Sequence, residues 1–442
     1  METKYSPSVN IIRDEDQQLD YINSANAERV SLQISNGFKK GIHSFTLIGS
    51  YGTGKSTFLW AFEKTLEGNK KYLPINLGIK SSPVKFLKLV GTYQSITDHF
   101  GEILGVTKPD DGNRNILDAL YQEYQKAGAL VIFIDEFGKF LEYAAKHNPD
   151  KELYFLQQLA ELVNKPNDSF LLITTLHQSF EAYGNNLKES ERQEWRKIKG
   201  RFTDVAFNEP VEQLLLLASK KLRKNKPFRN FQGNHFSRLA EEYQISKADN
   251  NFNKKIENSL YPLDIISATV LTTALQRYGQ NERSLFSFLQ LEADPSIRMD
   301  LPKVYDYLLK NFYTSLQNSS AFGFNQWRLL ERGIERVEFE IKDHIKSASA
   351  IVKTIGLLQI FIPNARVEDN FLASYLKEFF DKVEVKKALA ELTKRKIVVF
   401  MHYNQSYKLI EGTDLDFEQA ILQAGEAVSE VKSLVPLLEE HF

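Results

Sequence analysis

The eight residues Gly49-Ser50-Tyr51-Gly52-Thr53-Gly54-Lys55-Ser56 fit the spacing G-x-x-x-x-G-K-[ST]. No other feature restricts the possible folds of this chain as much. The glycines let the backbone curl with its N–H groups pointing inward, a shape that cradles an anion. Such a loop works between a buried strand and a helix N-terminus, whose unpaired amides and dipole strengthen the cradle. Both flanks read that way. Ser44–Ile48 is short and β-rich, and the stretch from Thr57 to Leu66 carries Phe58, Ala61, Phe62 and Leu66 at helical spacing. Gly49, Gly52, Thr53, Gly54, Lys55, Ser56 and Thr57 are therefore the expected phosphate-binding residues. Lys55 is expected to bridge the β- and γ-phosphates, and the Ser56 hydroxyl to hold Mg²⁺.

Further β-rich runs at Tyr72–Ile79, Leu130–Ile134 and Phe170–Thr174 alternate with helical patterns. That alternation predicts an α/β P-loop fold with a parallel sheet and helices on both faces. Leu130–Ile134 is apolar throughout and delivers Asp135 and Glu136 to a strand's C-terminal end, where ligands sit in such sheets. Alone, the pair reads equally well as a strand followed by a solvated turn. About 80 residues after the loop, Asp135 is the expected Mg²⁺ ligand and Glu136 the general base for an attacking water. Phe170–Thr175 ends in polar residues and is followed by His177. Thr175, and after it His177, is expected to touch the γ-phosphate or the attacking water; a merely capped strand end is the alternative.

The chain has 442 residues, too many for one ordinary core. It has no cysteine, which excludes disulfides and thiolate metal sites, and its net charge of −1 argues against coating nucleic acid by bulk charge. No export signal and no apolar run of about 18 residues is visible, so a cytoplasmic protein without a membrane partner is expected. Past Val211 strand signals fade. Helices are expected at Val211–Lys224, His235–Tyr243, Asp264–Arg277 and Ser284–Leu291, and from Pro302 to about Ile345. Three apolar helical faces follow: Ile351, Ile355 and Leu358; then Leu372, Tyr375, Leu376 and Phe379; then Val385, Ala388, Leu389 and Leu392. Two strands, Ile397–Tyr403 and Ser406–Ile410, come next with Asn404-Gln405 as a tight turn. Three helices and a hairpin are the layout of a winged helix. The expected divisions are 1–210 (nucleotide-binding α/β domain), 211–292 (helical lid), 293–345 (helical connector), 346–412 (winged helix) and 413–442 (C-terminal helix).

With these parts in order the sequence resembles the AAA+ ATPases, nearest to the initiator-type branch of origin-recognition proteins and overlapping with STAND-type switch ATPases. The segment from Asn10 through Arg13 to Asp16 looks like the one that packs on adenine. The segment from Glu194 to Phe202 looks like the one carrying a trans-acting arginine, here Arg201 with Arg196 as the alternative. Gly279–Leu285 looks like the start of the lid helix that bears a sensor arginine, here Arg283. Pro262 resembles the lid proline near the base. The phrases Asp135–Phe140 and Leu176–Phe180 also look like large bacterial ATPases, some linked to phage defence.

The resemblance implies an ATPase using ATP and Mg²⁺, assembling into a homo-oligomer through its nucleotide sites, and switching or remodelling a protein partner. Two rivals follow from the same residues. One is a DNA-binding initiator or loader. The helix Lys382–Thr393 and the turn after it carry Lys382, Lys386, Lys387, Lys394, Arg395 and Lys396 against only Glu384 and Glu391, with His402, Tyr403, Gln405 and Lys408 near the wing. A solvated charged face or a protein-docking module would look the same. The other rival is a slow signalling switch.

Overall fold

The computed structural model describes residues 9–17, 19, 21–68, 72–79, 84–106, 113–147, 149–165, 169–184, 187, 189–222, 233–278, 285, 288–289, 297–318 and 322–410. It divides into one unit over Met1–Asn318 and a second over Ser319–Phe442.

The first unit is built on five strands, β1 (Ser44–Ile48), β2 (Lys85–Val90), β3 (Leu130–Asp135), β4 (Phe170–Leu176) and β5 (Thr203–Ala206). They lie in the order β2-β3-β4-β1-β5 and every pairing is parallel. β3 and β4 are buried at every position, as strands covered on both faces must be. Alternate residues of β3 serve two cores. Leu130, Ile132 and Ile134 join Phe100, Phe155 and Leu159 on one face; Val131 and Phe133 join Phe45, Phe58 and Phe62 on the other. The helices that cover the sheet are α1 (Ala25–Lys39), α2 (Lys55–Leu66), α3 (Ile96–Leu104), α4 (Arg114–Ala127), α5 (Gly138–Lys146), α6 (Pro149–Val163) and α7 (Glu189–Lys199). Helices α8 (Val211–Leu222), α9 (Gly233–Glu242), α10 (Asn250–Glu257) and α11 (Ile265–Tyr278) follow, and then a helix over Leu301–Leu316.

One expected strand is displaced. Tyr72–Ile79 joins no ladder. Pro74 offers no amide, Asn76 N–H is held by Ser35 Oγ at 3.3 Å, and Gly78 N–H turns back onto Asn76 Oδ1 at 3.1 Å. Its apolar side chains pack instead: Tyr72 lies edge-on to Trp60. The strand is Lys85–Val90, at the sheet's edge, where its lysines reach Glu123 and Glu63.

The second unit holds helices Phe324–Glu340, Ile345–Phe361, Asp369–Tyr375 and Lys382–Lys394, then the antiparallel hairpin β6 (Val398–Met401) and β7 (Ser406–Leu409). The expected helical stretch from Pro302 to about Ile345 holds the helices Leu301–Leu316 and Phe324–Glu340, with Gly323 in the left-handed region before the second. The three apolar faces are buried as expected, except that Phe379 is exposed. The hairpin turn is longer than expected. Met401 pairs with Ser406, so His402–Gln405 form a four-residue connection with Gln405 at φ 52°. Helices followed by this hairpin have the winged-helix layout. The expected helix over 413–442 lies outside the described residues. No helix among the described residues is long and apolar enough to cross a membrane.

Candidate nucleotide-binding site

The loop Gly49–Ser56 joins β1 to α2. Gly49 passes so close to the β5 end that a Cβ there would lie 2.0 Å from the Phe207 carbonyl oxygen. Gly52 and Gly54 adopt φ 72° and 89°, values that disfavour any side chain. Gly54 caps α2 without a side-chain hydrogen bond, so the first amides of the helix stay available to an anion. The loop is braced from within: the buried Thr53 donates its hydroxyl to Ser50 O at 2.9 Å. Lys55 Nζ folds back onto the carbonyls of Gly49 and Ser50. Burial pulls the Lys55 ammonium down to about 8, against the opposing pull of Asp135 and Glu136. Thr57 lies half-buried in the first turn of α2.

β4 runs between β1 and β3, so Thr175 stands between the loop and the acidic pair. Asp135 is 4 % exposed. Its Oδ1 accepts from Thr175 Oγ1 at 2.6 Å and from Glu136 N at 3.1 Å, and the carboxylate also accepts from the Ser56 hydroxyl. Burial raises the Asp135 carboxyl above its ordinary value; the two hydroxyls and Lys55 counteract this. Glu136 sits at φ 52° with its side chain exposed and ion-paired to Lys139. Gly91, just past the end of the neighbouring β2, makes room for this turn, since a Cβ there would meet Glu136 O at 2.0 Å.

Sequence reading did not foresee an aromatic stack over the loop. Tyr51 stacks on His177, with ring centroids 4.4 Å apart, and His177 is within 3.0 Å of the Tyr183 hydroxyl. Burial, reinforced by the Lys55 charge, pulls the His177 imidazole down to about 4, and burial lifts Tyr51 to about 12. Asn208 was also missed. Its Oδ1 accepts from Ser50 N at 3.4 Å. Asn208 falls in no recognisable spacing, and the stack joins residues far apart in the chain; only neighbours in space give them meaning.

The remaining expected residues are spread out. Arg201 precedes β5 at the end of the sheet opposite the loop, where its guanidinium pairs with Glu161 at 2.7 Å. Arg196 is exposed on α7. Arg13 pairs with the buried Asp14, which its guanidinium holds below the ordinary carboxylate value. Pro262 is buried after a cis peptide bond, and its carbonyl accepts from Met299 N at 2.9 Å. Arg283 lies outside the described residues. In the second unit Lys382, Lys386, Lys387 and Lys394 are exposed on one helix. Arg395 is instead held by Glu391 and Glu340.

One carboxylate and one hydroxyl on adjoining elements, hard oxygens both, suit a Mg²⁺ ion that takes its other ligands from phosphate and water. Among the described residues no cluster of three acidic or histidine side chains offers an all-protein metal cage.

A loop after β1, an acidic pair at the end of β3 and a strand between them give the layout of a P-loop nucleotide-binding fold, carried here with a helical region and a winged-helix layout. No family model matches the sequence, and no curated protein matches it. Among solved structures, the chain is similar to the Aeropyrum pernix ORC2 protein in its ADPNP-ADP complexes, at 14% identity and a TM-score of 0.37, covering 94% of this chain and 98% of that one. It is also similar to the Walker-type ATPase PABY2304 of Pyrococcus abyssi, at 11% identity and 0.31, covering 88% and 93%. A third likeness is to the FIGL-1 AAA domain in complex with ADP, at 14% identity and 0.30, covering 66% and 89%.

Proposed function

We propose that this chain binds ATP with Mg²⁺ in the Gly49–Ser56 loop, hydrolyses it, and uses the cycle in a homo-oligomer to switch or remodel a partner. The observation that carries this reading is the convergence of Ser56, Thr175 and Asp135, beside Lys55, at the C-terminal edge of the sheet. In this reading the loop amides and Lys55 grip the phosphates, Ser56 and Asp135 hold the metal, and Glu136 takes the proton from water. A bound Mg²⁺ would supply charge neutralisation on the phosphates. Residues 211–292 act as the lid, with Arg13, Pro262 and Arg283 beside the base. Arg201 or Arg196 reaches the γ-phosphate from a neighbouring copy, because within one chain Arg201 lies at the far end of the sheet.

The test is nucleotide binding and turnover in Lys55→Ala and Glu136→Gln. Lys55→Ala is expected to lose ATP binding; Glu136→Gln is expected to bind and not hydrolyse. Undiminished turnover in Glu136→Gln sinks the base assignment. The finger assignment fails if Arg201→Ala and Arg196→Ala each hydrolyse normally when assembled.

A second reading, duplex DNA binding by the second unit, is favoured by exposed Lys382, Lys386, Lys387 and Lys394 on one helix. It predicts salt-dependent binding that weakens in Lys386→Ala/Lys387→Ala; binding insensitive to salt removes it.

A further inference from the structure

Glu209 follows β5 by three residues and carries a carboxylate that is satisfied on one side only. The residue is 4 % exposed. Its Oε1 accepts from the Ser24 hydroxyl and from Asn26 Nδ2 at 3.3 Å. Its Oε2 is shut off from solvent and meets no hydrogen-bond donor. A buried carboxylate oxygen left in this state is costly, and such a group calls for a ligand that supplies the donor.

Its position indicates which ligand. The backbone carbonyl of Glu209 accepts from Gln276 Nε2 on α11 at 3.0 Å. Ser24 caps α1, accepting from Ala27 N at 3.1 Å. Asn208, its neighbour, accepts from the loop amide of Ser50. Glu209 therefore sits where the phosphate loop, the entry to α1 and the helical region meet. Asp135 and Thr175, on β3 and β4, lie on one side of β1; β5 lies on the other. In the ATP site proposed above, with the terminal phosphate toward Asp135, the sugar and base would lie toward the end of β5, the side on which Glu209 sits.

We propose that Glu209 reads the base: its Oε2 accepts from the exocyclic 6-amino group of adenine and so selects ATP over 6-oxopurine nucleotides. This rests on the ATP site proposed above. Inosine triphosphate presents a carbonyl acceptor at the same position, and two acceptors facing each other cannot hydrogen-bond.

The test is calorimetric titration of the full chain, in its Glu136→Gln form with Mg²⁺, using ATP and inosine triphosphate. With Glu209 intact, ATP is expected to bind more tightly by about tenfold or more, the effect of one hydrogen bond to a charged group. Glu209→Gln places an amide that can turn its donor to the base, so the preference is expected to collapse or invert. Ser24→Ala removes only the hydroxyl on Oε1 and is expected to keep the preference while lowering the melting temperature. Equal affinity for the two nucleotides with Glu209 present, or an unchanged ratio in Glu209→Gln, overturns the proposal. Failure of both nucleotides to bind overturns the ATP site itself, a result separable from the first.

Discussion

Replacing Asp135 by Asn separates the stability of this protein from its chemistry. Asp135 is 4 % exposed, and burial holds its carboxyl above the ordinary 3.8. At neutral pH its charge therefore costs stability, by about 1.4 kcal/mol for each unit by which the folded value exceeds the unfolded one. Asparagine keeps the shape and an acceptor oxygen for Thr175 Oγ1, at 2.6 Å, and Glu136 N, at 3.1 Å, without the charge. Without nucleotide, Asp135→Asn is expected to be more stable than the parent at pH 7 and to melt at a higher temperature. The sign with pH follows from the raised value. The cost is fully present above the folded pKa, shrinks as pH falls through it, and is gone below 3.8. The gap between variant and parent should therefore narrow as pH falls from 7 toward 4. With Asp135 holding the metal as proposed, Mg²⁺ and ATP are expected to reverse the order. At a hundredfold excess over Kd, ligand binding stabilises the parent by about 2.7 kcal/mol. The variant lacks the charged oxygen for the metal and gains less. Scanning calorimetry at several pH values, with and without Mg-ATP, reads all of this. A variant less stable than the parent at pH 7 without nucleotide, or an order that does not reverse with Mg-ATP, refutes the reasoning.

Gly49→Ala puts a Cβ 2.0 Å from the Phe207 carbonyl oxygen, a backbone atom that cannot swing aside. It should cost about 3 kcal/mol in urea unfolding and weaken nucleotide binding. Tyr51→Ala removes the ring stacked on His177, whose imidazole burial holds near 4; an NMR titration should find it moved back toward 6.5. Because a depressed histidine binds its proton more readily when unfolded, the parent loses stability as pH falls from 6.5 to about 4, and Tyr51→Ala should flatten that slope. Arg336 ties the end of the Lys382–Lys394 helix by donating to Arg395 O at 2.6 Å and Lys396 O at 3.2 Å. Arg336→Ala should lower the stability of the second unit by about 1–2 kcal/mol, measured by the unfolding of the β6–β7 hairpin in hydrogen exchange.

The sheet's centre was legible because burial on both faces leaves an unbroken apolar run, as in Leu130–Ile134 and Phe170–Thr174. Its edge was not. Lys85–Val90 carries two lysines because an edge strand meets solvent, while Tyr72–Ile79 is apolar because it packs under α1 and α2 without joining a ladder. Composition alone ranks these two segments the wrong way round. The phosphate loop and Asp135-Glu136 were legible because their chemistry is local in sequence. Glu209, Asn208 and the Tyr51–His177–Tyr183 stack were not, since each acquires a role only from residues far along the chain. Arg395 shows the converse. Its sequence context made it a candidate DNA contact, but Glu340, 55 positions earlier, helps hold its guanidinium within the unit.

Thr175 shows how position narrows a role that sequence left open. A threonine hydroxyl has one proton to give. Here that proton goes to Asp135 Oδ1, while the oxygen accepts from Glu136 N. Both capacities are spent on aiming the acidic pair, so Thr175 in this arrangement has no donor left for a phosphate. His177, one residue beyond the end of β4, is differently placed. Its ring is fixed by Tyr51 on one side and Tyr183 on the other, and burial keeps it neutral at physiological pH, with one nitrogen donating and one accepting. Tyr51 belongs to the phosphate loop, so any movement of the loop on binding moves the ring packed against it. The end of the strand between β1 and β3 thus offers two polar groups with separate capacities, one that orients the Asp135 carboxylate and one packed against the loop.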